Sequence, residues 1–180
     1  MEAPRKLPPA IFIRINSQNH KTTGFDPEPA SWNIDINYSL GEIMKSRIVR
    51  ANEGSTKLAS SDMFVGQVLH DQVFVPEDPS RLRVSRVTFT PGGRTNWHTH
   101  AVGQVLYVLS GTGRYQLEGE TVQEIRAGDT VIIPPNSRHW HGAAPDQMMC
   151  HLALSETDDK GAATDWLEPV SDTDYTSPIA

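Results

Sequence analysis

The sequence predicts an all-β protein built on one main domain. Three observations carry that prediction: seven short β-rich runs follow one another between about Phe64 and Glu156, turn residues separate them, and no long helical period interrupts them. The runs are MFVGQVLH, RLRVSRVTF, QVLYVLS, GRYQLEG, ETVQEI, DTVIIP and MMCHLALSE. Their separators, PEDPS, PGGRTN, GTG, EG, AGD and PPNSRH, supply the Gly, Pro, Asn and Asp that tight turns need for a positive or a fixed φ. Strands of this kind are expected to close into a sandwich or barrel over residues 55–175.

Residues 1–54 show weak periodicity and read as an extension, either disordered or lending a strand such as Ala10–Ile15, where IFIRI alternates, to the barrel or to a second subunit. A short amphipathic turn is expected around SLGEIMKSRIV. Beyond Glu156 the chain reads as a loop and then a short helix around DWLEPV, with Trp166 and Leu167 covering one barrel edge.

With 180 residues the chain is long enough for one buried core. Sixteen Lys and Arg against twenty-two Asp and Glu, a net charge of −6, offer nucleic acid and anionic lipid no polybasic patch, so a small-molecule partner is expected. The single cysteine, Cys150, excludes an internal disulfide framework and a multi-thiolate metal site, so any metal must rest on nitrogen and oxygen ligands. No apolar run reaches the ~20 residues of a membrane span, and the short apolar start, broken by Arg14, does not read as a secretory signal. The expectation is a cytoplasmic protein.

Five of the seven histidines fall between His98 and His151. On an extended segment the period of two puts His98 and His100 on one face, and Gln104 shares that parity if the chain stays extended. In RHWH, after the turn PPNS, His139 or His141 can be carried back across the barrel as a further ligand. Imidazoles with one oxygen donor suit Mn, Fe, Ni, Co, Cu or Zn better than Mg or Ca. A neutral Gln104 in place of a carboxylate leaves more positive charge on the cation and favours polarising a substrate hydroxyl or carbonyl.

These residues resemble the cupin family. Its first motif is matched by Gly92, GRTNW, His98-Thr99-His100, AVG, Gln104, VLYVLS and Gly111, with Gln for the usual Glu. Its second is matched by Gly128, DTVII, Pro134, Pro135, Asn136, SR and His139, with Asn136 where glycine is usual and Ala143 where asparagine often stands. The phrases RTNWHTHAVGQVL, EIRAGDTVIIPPNSRHWHGAAP, MMCHLAL and ATDWLEPV are similar to the small single-domain bacterial cupins that include manganese-dependent hydroxynitrile lyases; the likeness covers roughly residues 54–175.

The resemblance implies a jelly-roll barrel, pairing of subunits into a homodimer or homotetramer, and a metal held by His98, His100, Gln104 and His139. The metal it implies is Mn2+, with Fe2+, Ni2+, Co2+ or Zn2+ as alternatives. His151 is the implied general base; Ser85, Val87, Trp140, His141 and Ser155 are expected around the pocket. On MMCHLALSE, parity places His151 with Met149, Ala153 and Ser155, and leaves the more apolar Cys150, Leu152 and Leu154 for the core between sheets. The implied activity is a metal-dependent lyase breaking a C–C bond beside a hydroxyl, with a dioxygenase or a non-catalytic binding barrel as alternatives. Arg94 and Arg138 are expected to pair with Asp129 or Glu124; Trp97, Tyr107 and Trp140 are expected to pack between sheets, and His20 and His70 to sit on the surface.

Overall fold

The computed structural model describes residues 46–180 except 77 and 78, so the expected N-terminal strand, His20 and most of the SLGEIMKSRIV turn lie outside the described residues. From Val49 to Ala180 the chain forms one compact unit. Its strands are β1 (Lys57–Leu58), β2 (Phe64–Val65), β3 (Val68–Phe74), β4 (Leu82–Phe89), β5 (Arg94–Thr95), β6 (His98–Thr99), β7 (Gln104–Leu117), β8 (Gln123–Arg126), β9 (Thr130–Ile133), β10 (His139–Ala143), β11 (Met149–Glu156) and β12 (Asp165–Trp166), followed by the helix α1 (Asp172–Tyr175). The main path runs β1-β3-β4-β11-β7-β10-β5-β2, with β8 and β9 beside β7 and with β6 joining β10 to β12. It is a curled antiparallel sheet of the jelly-roll kind. No helix among the described residues is long and apolar enough to cross a membrane.

β7 builds the curl. Its first half pairs with β11 and β9, its second half with β10 and β8, so one strand serves both leaves. The GTG expected as a turn is instead where the strand changes leaf. Gly111 has φ +80°, and a Cβ there would stand 1.9 Å from the Met148 carbonyl oxygen. At Gly113 a Cβ would stand 2.5 Å from the Gly142 carbonyl oxygen. Only glycine allows backbones so close. Gly111→Ala is therefore expected to destabilise the barrel by about 3 kcal/mol or more, read by denaturant unfolding. An unchanged midpoint would show that the strand can change leaf without this close approach.

Alternation sorts the side chains. On β7, Gln104, Leu106 and Val108 are buried while Val105, Tyr107 and Leu109 are exposed. Tyr107 thus stands on the outer face, not between the sheets. On β11 the buried side carries Met149 and His151, whereas Cys150, Leu152 and Leu154 form the half-buried outer side, the reverse of the expectation from apolarity alone. The inner core gathers Val68, Val87, Phe89, Val108, Ile125, Ala143 and Met149. Each large side chain fully buried there contributes roughly 2 kcal/mol.

A second cluster, Trp97, Val122, Trp140, Val170 and Tyr175, forms where the C-terminal segment folds over the outside of β10. Between the inward His139 and His141, Trp140 points outward, is 0% exposed and donates from Nε1 to Gln116 Oε1 at 2.7 Å. It is a packing residue and does not line the cavity mouth. Arg94 holds this segment: it donates to the Val170 carbonyl at 2.9 Å, pairs with Asp172 at 2.6 Å and lies 4.5 Å over the Tyr175 ring. Arg138 pairs with Glu118 at 3.1 Å and with Glu168. Neither arginine has the partner that the sequence suggested.

The C-terminal region differs too. Asp165–Trp166 is a strand, paired with His98–Thr99, and the helix starts later, where Ser171 caps it by accepting from the Asp174 amide. Pro169 explains the displacement: it is the fifth residue of DWLEPV and disfavours helix at the residue before it.

Candidate metal centre

His98 and His139 face each other in register across β6 and β10. His100 follows two residues on, and one nitrogen from each of the three rings lies within 4.8 Å of the others. Gln104 joins them by a different route from the expected extended parity. The chain turns after His100, with the Gly103 amide donating to the His100 carbonyl at 3.2 Å, and Gln104 enters on β7. Its Oε1 stops 3.2 Å from His139 Nε2. The turn before His139 contains Asn136 at φ 59°, so asparagine takes the left-handed conformation where glycine is usual.

The hydrogen bonds behind the rings select the tautomer a metal needs. The Nδ1–H of His98 donates to the Asn96 carbonyl at 3.0 Å, that of His100 to Ala163 at 2.6 Å, and that of His139 to Ser137 at 2.8 Å. Each Nε2 is then an unprotonated lone pair. His100 Nε2 is buried without a hydrogen-bond partner. In this tautomer His139 Nε2 and Gln104 Oε1 are both acceptors, an approach that a shared cation makes favourable. The residues therefore fit a divalent metal ion.

Burial lowers the pKa of all three imidazoles: His98 well below its ordinary value, with His139 adding to the effect, His100 below it, and His139 to about 4. Burial likewise takes His141 well below its ordinary value, aided by His151, and His151 to about 4. In the unfolded chain these groups protonate near 6.5. Since the unfolded state binds more protons below that pH, stability is full above about 6.5 and is lost as the pH falls toward 4, by up to about 1.4 kcal/mol per pH unit for each histidine concerned. Thermal unfolding of the metal-free protein is expected to show this loss; a flat profile from pH 7 to 4 would contradict neutral buried rings.

A cavity of about 530 Å3 opens onto the centre and is lined by His98, His100 and Gln104 together with Ser85, Val87, His141 and Ser155. His151 lies behind the wall. It is fully buried, its ring centroid 5.4 Å from that of Phe89, and its Nε2 is 3.1 Å from His141 Nδ1. The histidine that meets the cavity is His141, whose Nε2 is buried without a partner. His70, expected on the surface, also lines the cavity, with Nε2 3.0 Å from Ser85 Oγ. Parity could have found it, since His70 follows the inward Val68 by two residues. Trp166 was expected as an edge cover and instead lines the cavity with its ring tilted against His98, centroids 4.9 Å apart.

The cupin domain family profile matches residues 85–154. The chain is 45% identical over 128 residues to an (R)-mandelonitrile lyase of Granulicella tundricola, covering 71% of this chain and 97% of that one. It is 24% identical to an acireductone dioxygenase of Bacillus thuringiensis over 70% of this chain and 76% of the relative. A cupin-like protein of Thermotoga maritima superposes with a TM-score of 0.62 at 39% identity, covering 66% of this chain and 89% of that one. Likeness at that level over nearly all of two relatives, together with a family profile whose span includes both histidine segments, makes this chain a member of the cupin family.

Proposed function

We propose that this chain is a metal-dependent lyase that cleaves a small cyanohydrin into an aldehyde and hydrogen cyanide. The 45% identity to (R)-mandelonitrile lyase carries the reading, and the fit of the buried histidine cluster to a divalent ion supports it. His98, His100, His139 and Gln104 would hold the ion; three neutral imidazoles and one amide oxygen suit a divalent transition metal, and Mn2+ is the ion proposed, with Fe2+, Ni2+, Co2+ and Zn2+ distinguished from it by elemental analysis. Bound there, the ion supplies Lewis acidity toward a substrate hydroxyl.

The protein's own part is proton handling beside the histidine cluster. In the reaction the hydroxyl loses its proton, the carbonyl forms, and the C–CN bond breaks with its electron pair on cyanide, which leaves as HCN after taking up a proton. His141, on the cavity wall beside His98, accepts the proton, and the 3.1 Å bond from its Nδ1 to His151 Nε2 lets the pair share it. His151 is thus the inner member of the base. Because burial keeps both rings neutral, the base is available across the neutral range.

The test is release of benzaldehyde from (R)-mandelonitrile, followed by absorbance, before and after chelation. Chelator-sensitive cleavage is expected, with no oxygen consumed; oxygen uptake without cyanide release would favour the dioxygenase reading that the 24% likeness suggests.

A homo-oligomer is part of the proposal. Val105, Tyr107 and Leu109 of β7 and Ile132 of β9, which is 75% exposed and opposite Val105, form an apolar strip on the outer face. Ile132→Asp is expected to lower the mass in light scattering to that of a monomer; an unchanged mass would place any contact elsewhere. The lone Cys150, unpaired and half-buried, supports a reducing cytoplasmic setting.

A further inference from the structure

We propose that the substrate of this site carries a carboxylate at the end remote from its hydroxyl, and that Arg83, assisted by Lys57, binds it. The proposal deepens the lyase reading and rests on it for the hydroxyl end.

The cavity has a charge opposite to that of the protein. The chain as a whole is at −6, yet the described residues lining the cavity include Lys57 and Arg83 and no Asp or Glu. Most other arginines of the barrel have carboxylate partners: Arg81 has Asp159, Arg86 has Asp71, Arg94 has Asp172, Arg126 has Glu124 and Arg138 has Glu168, while Arg114 donates to the Tyr175 carbonyl at 2.7 Å. Among the described residues Arg83 and Lys57 have none. Arg83 is moreover half-buried, and an uncompensated cation on a partly desolvated wall loses hydration that an incoming anion restores.

Register places this cation usefully. Arg83, Ser85 and Val87 alternate along β4 and all line the cavity. Ser155 on β11 is opposite Arg83 on one side and Gln104 on the other, so Arg83, Ser155 and Gln104 form one cross-strand row. With strands ~4.8 Å apart, the Arg83 and Gln104 backbones are ~10 Å apart, and a ligand lying along the row meets the histidine cluster at one end and the guanidinium at the other. On the edge strand, Lys57 is paired with His70, whose ring is bonded to Ser85. Phe64, Met63, Val87 and Trp166 add apolar wall to the same cavity for a ring or short chain. A guanidinium suits a carboxylate because its fork matches the two oxygens. Neutral cyanohydrins leave this half of the cavity unused and are expected to be inferior substrates.

Calorimetry on the full chain, both metal-loaded and chelator-stripped, with 4-(hydroxymethyl)benzoate and its neutral amide tests the proposal without turnover. The carboxylate is expected to bind about tenfold more tightly than the amide or better, the preference to fall to near unity in Arg83→Gln, and to survive in part in Arg83→Lys. Lys57→Gln should lower it less. Equal binding of acid and amide by the wild type, or a preference unchanged in Arg83→Gln, would overturn the subsite. Cleavage of 4-carboxy- and 4-carbamoyl-mandelonitrile separates the two readings: cleavage of both without preference defeats the subsite and leaves the lyase, whereas acid-selective binding with no cleavage of either defeats the lyase and leaves the subsite.

Discussion

His139→Ala is expected to remove metal binding and cyanohydrin cleavage together while leaving a folded barrel. His139 is placed by the β6–β10 pairing opposite His98, and Gln104 approaches the cluster through it. Losing it takes away one nitrogen ligand and the neighbour of the oxygen donor at once. The drop in metal affinity should exceed the 10–100-fold typical of outer partners of a metal ligand, by roughly another order of magnitude. Folding should survive, because the backbone ladder of β10 with β7 is untouched. Elemental analysis beside far-ultraviolet circular dichroism reads both results. Full metal occupancy in a folded His139→Ala protein would overturn the assignment.

His151→Ala and His141→Ala are expected to do the opposite: metal retained, cleavage lowered. General-base residues contribute about 10²–10⁴-fold in rate, so kcat should fall within that range for each. The 3.1 Å bond between them makes them one unit, so the double variant should be scarcely worse than the worse single one. Multiplicative losses would mean that the two rings act separately. A normal rate in His151→Ala would remove it from the mechanism.

Much of this site was legible before the fold because its ligands come from two short segments of fixed spacing. His98, His100 and Gln104 lie within seven residues, and the turn PPNS delivers His139. The existence of most long strands was legible from β-rich runs between turn residues, as on β4 and the first half of β7, although Tyr107 on β7 was assigned to the wrong face. What stayed hidden depends on contacts between distant segments. A GTG looks like a turn until Met148 and Gly142 are known to pass beside it. Arg94 looks like a surface cation until the chain end folds over it. On β11 parity grouped His151, Ala153 and Ser155 correctly, but local apolarity wrongly sent the other face to the core, since Cys150, Leu152 and Leu154 are half-buried on the outer side. The short helix could have been found from Ser171 with Asp174 three residues on, a capping pattern more specific than the composition of DWLEPV. His70 carried no motif, and only its parity with Val68 marked it.

The central claim, that three histidines and Gln104 form a metal centre on which cyanohydrin cleavage depends, is tested most directly by titrating Mn2+ into chelator-stripped protein while following benzaldehyde release from (R)-mandelonitrile. Activity is expected to be absent at the start, to rise linearly and to level off at one equivalent per chain. Cleavage that is already complete in the stripped protein, or that is indifferent to added metal, would contradict it.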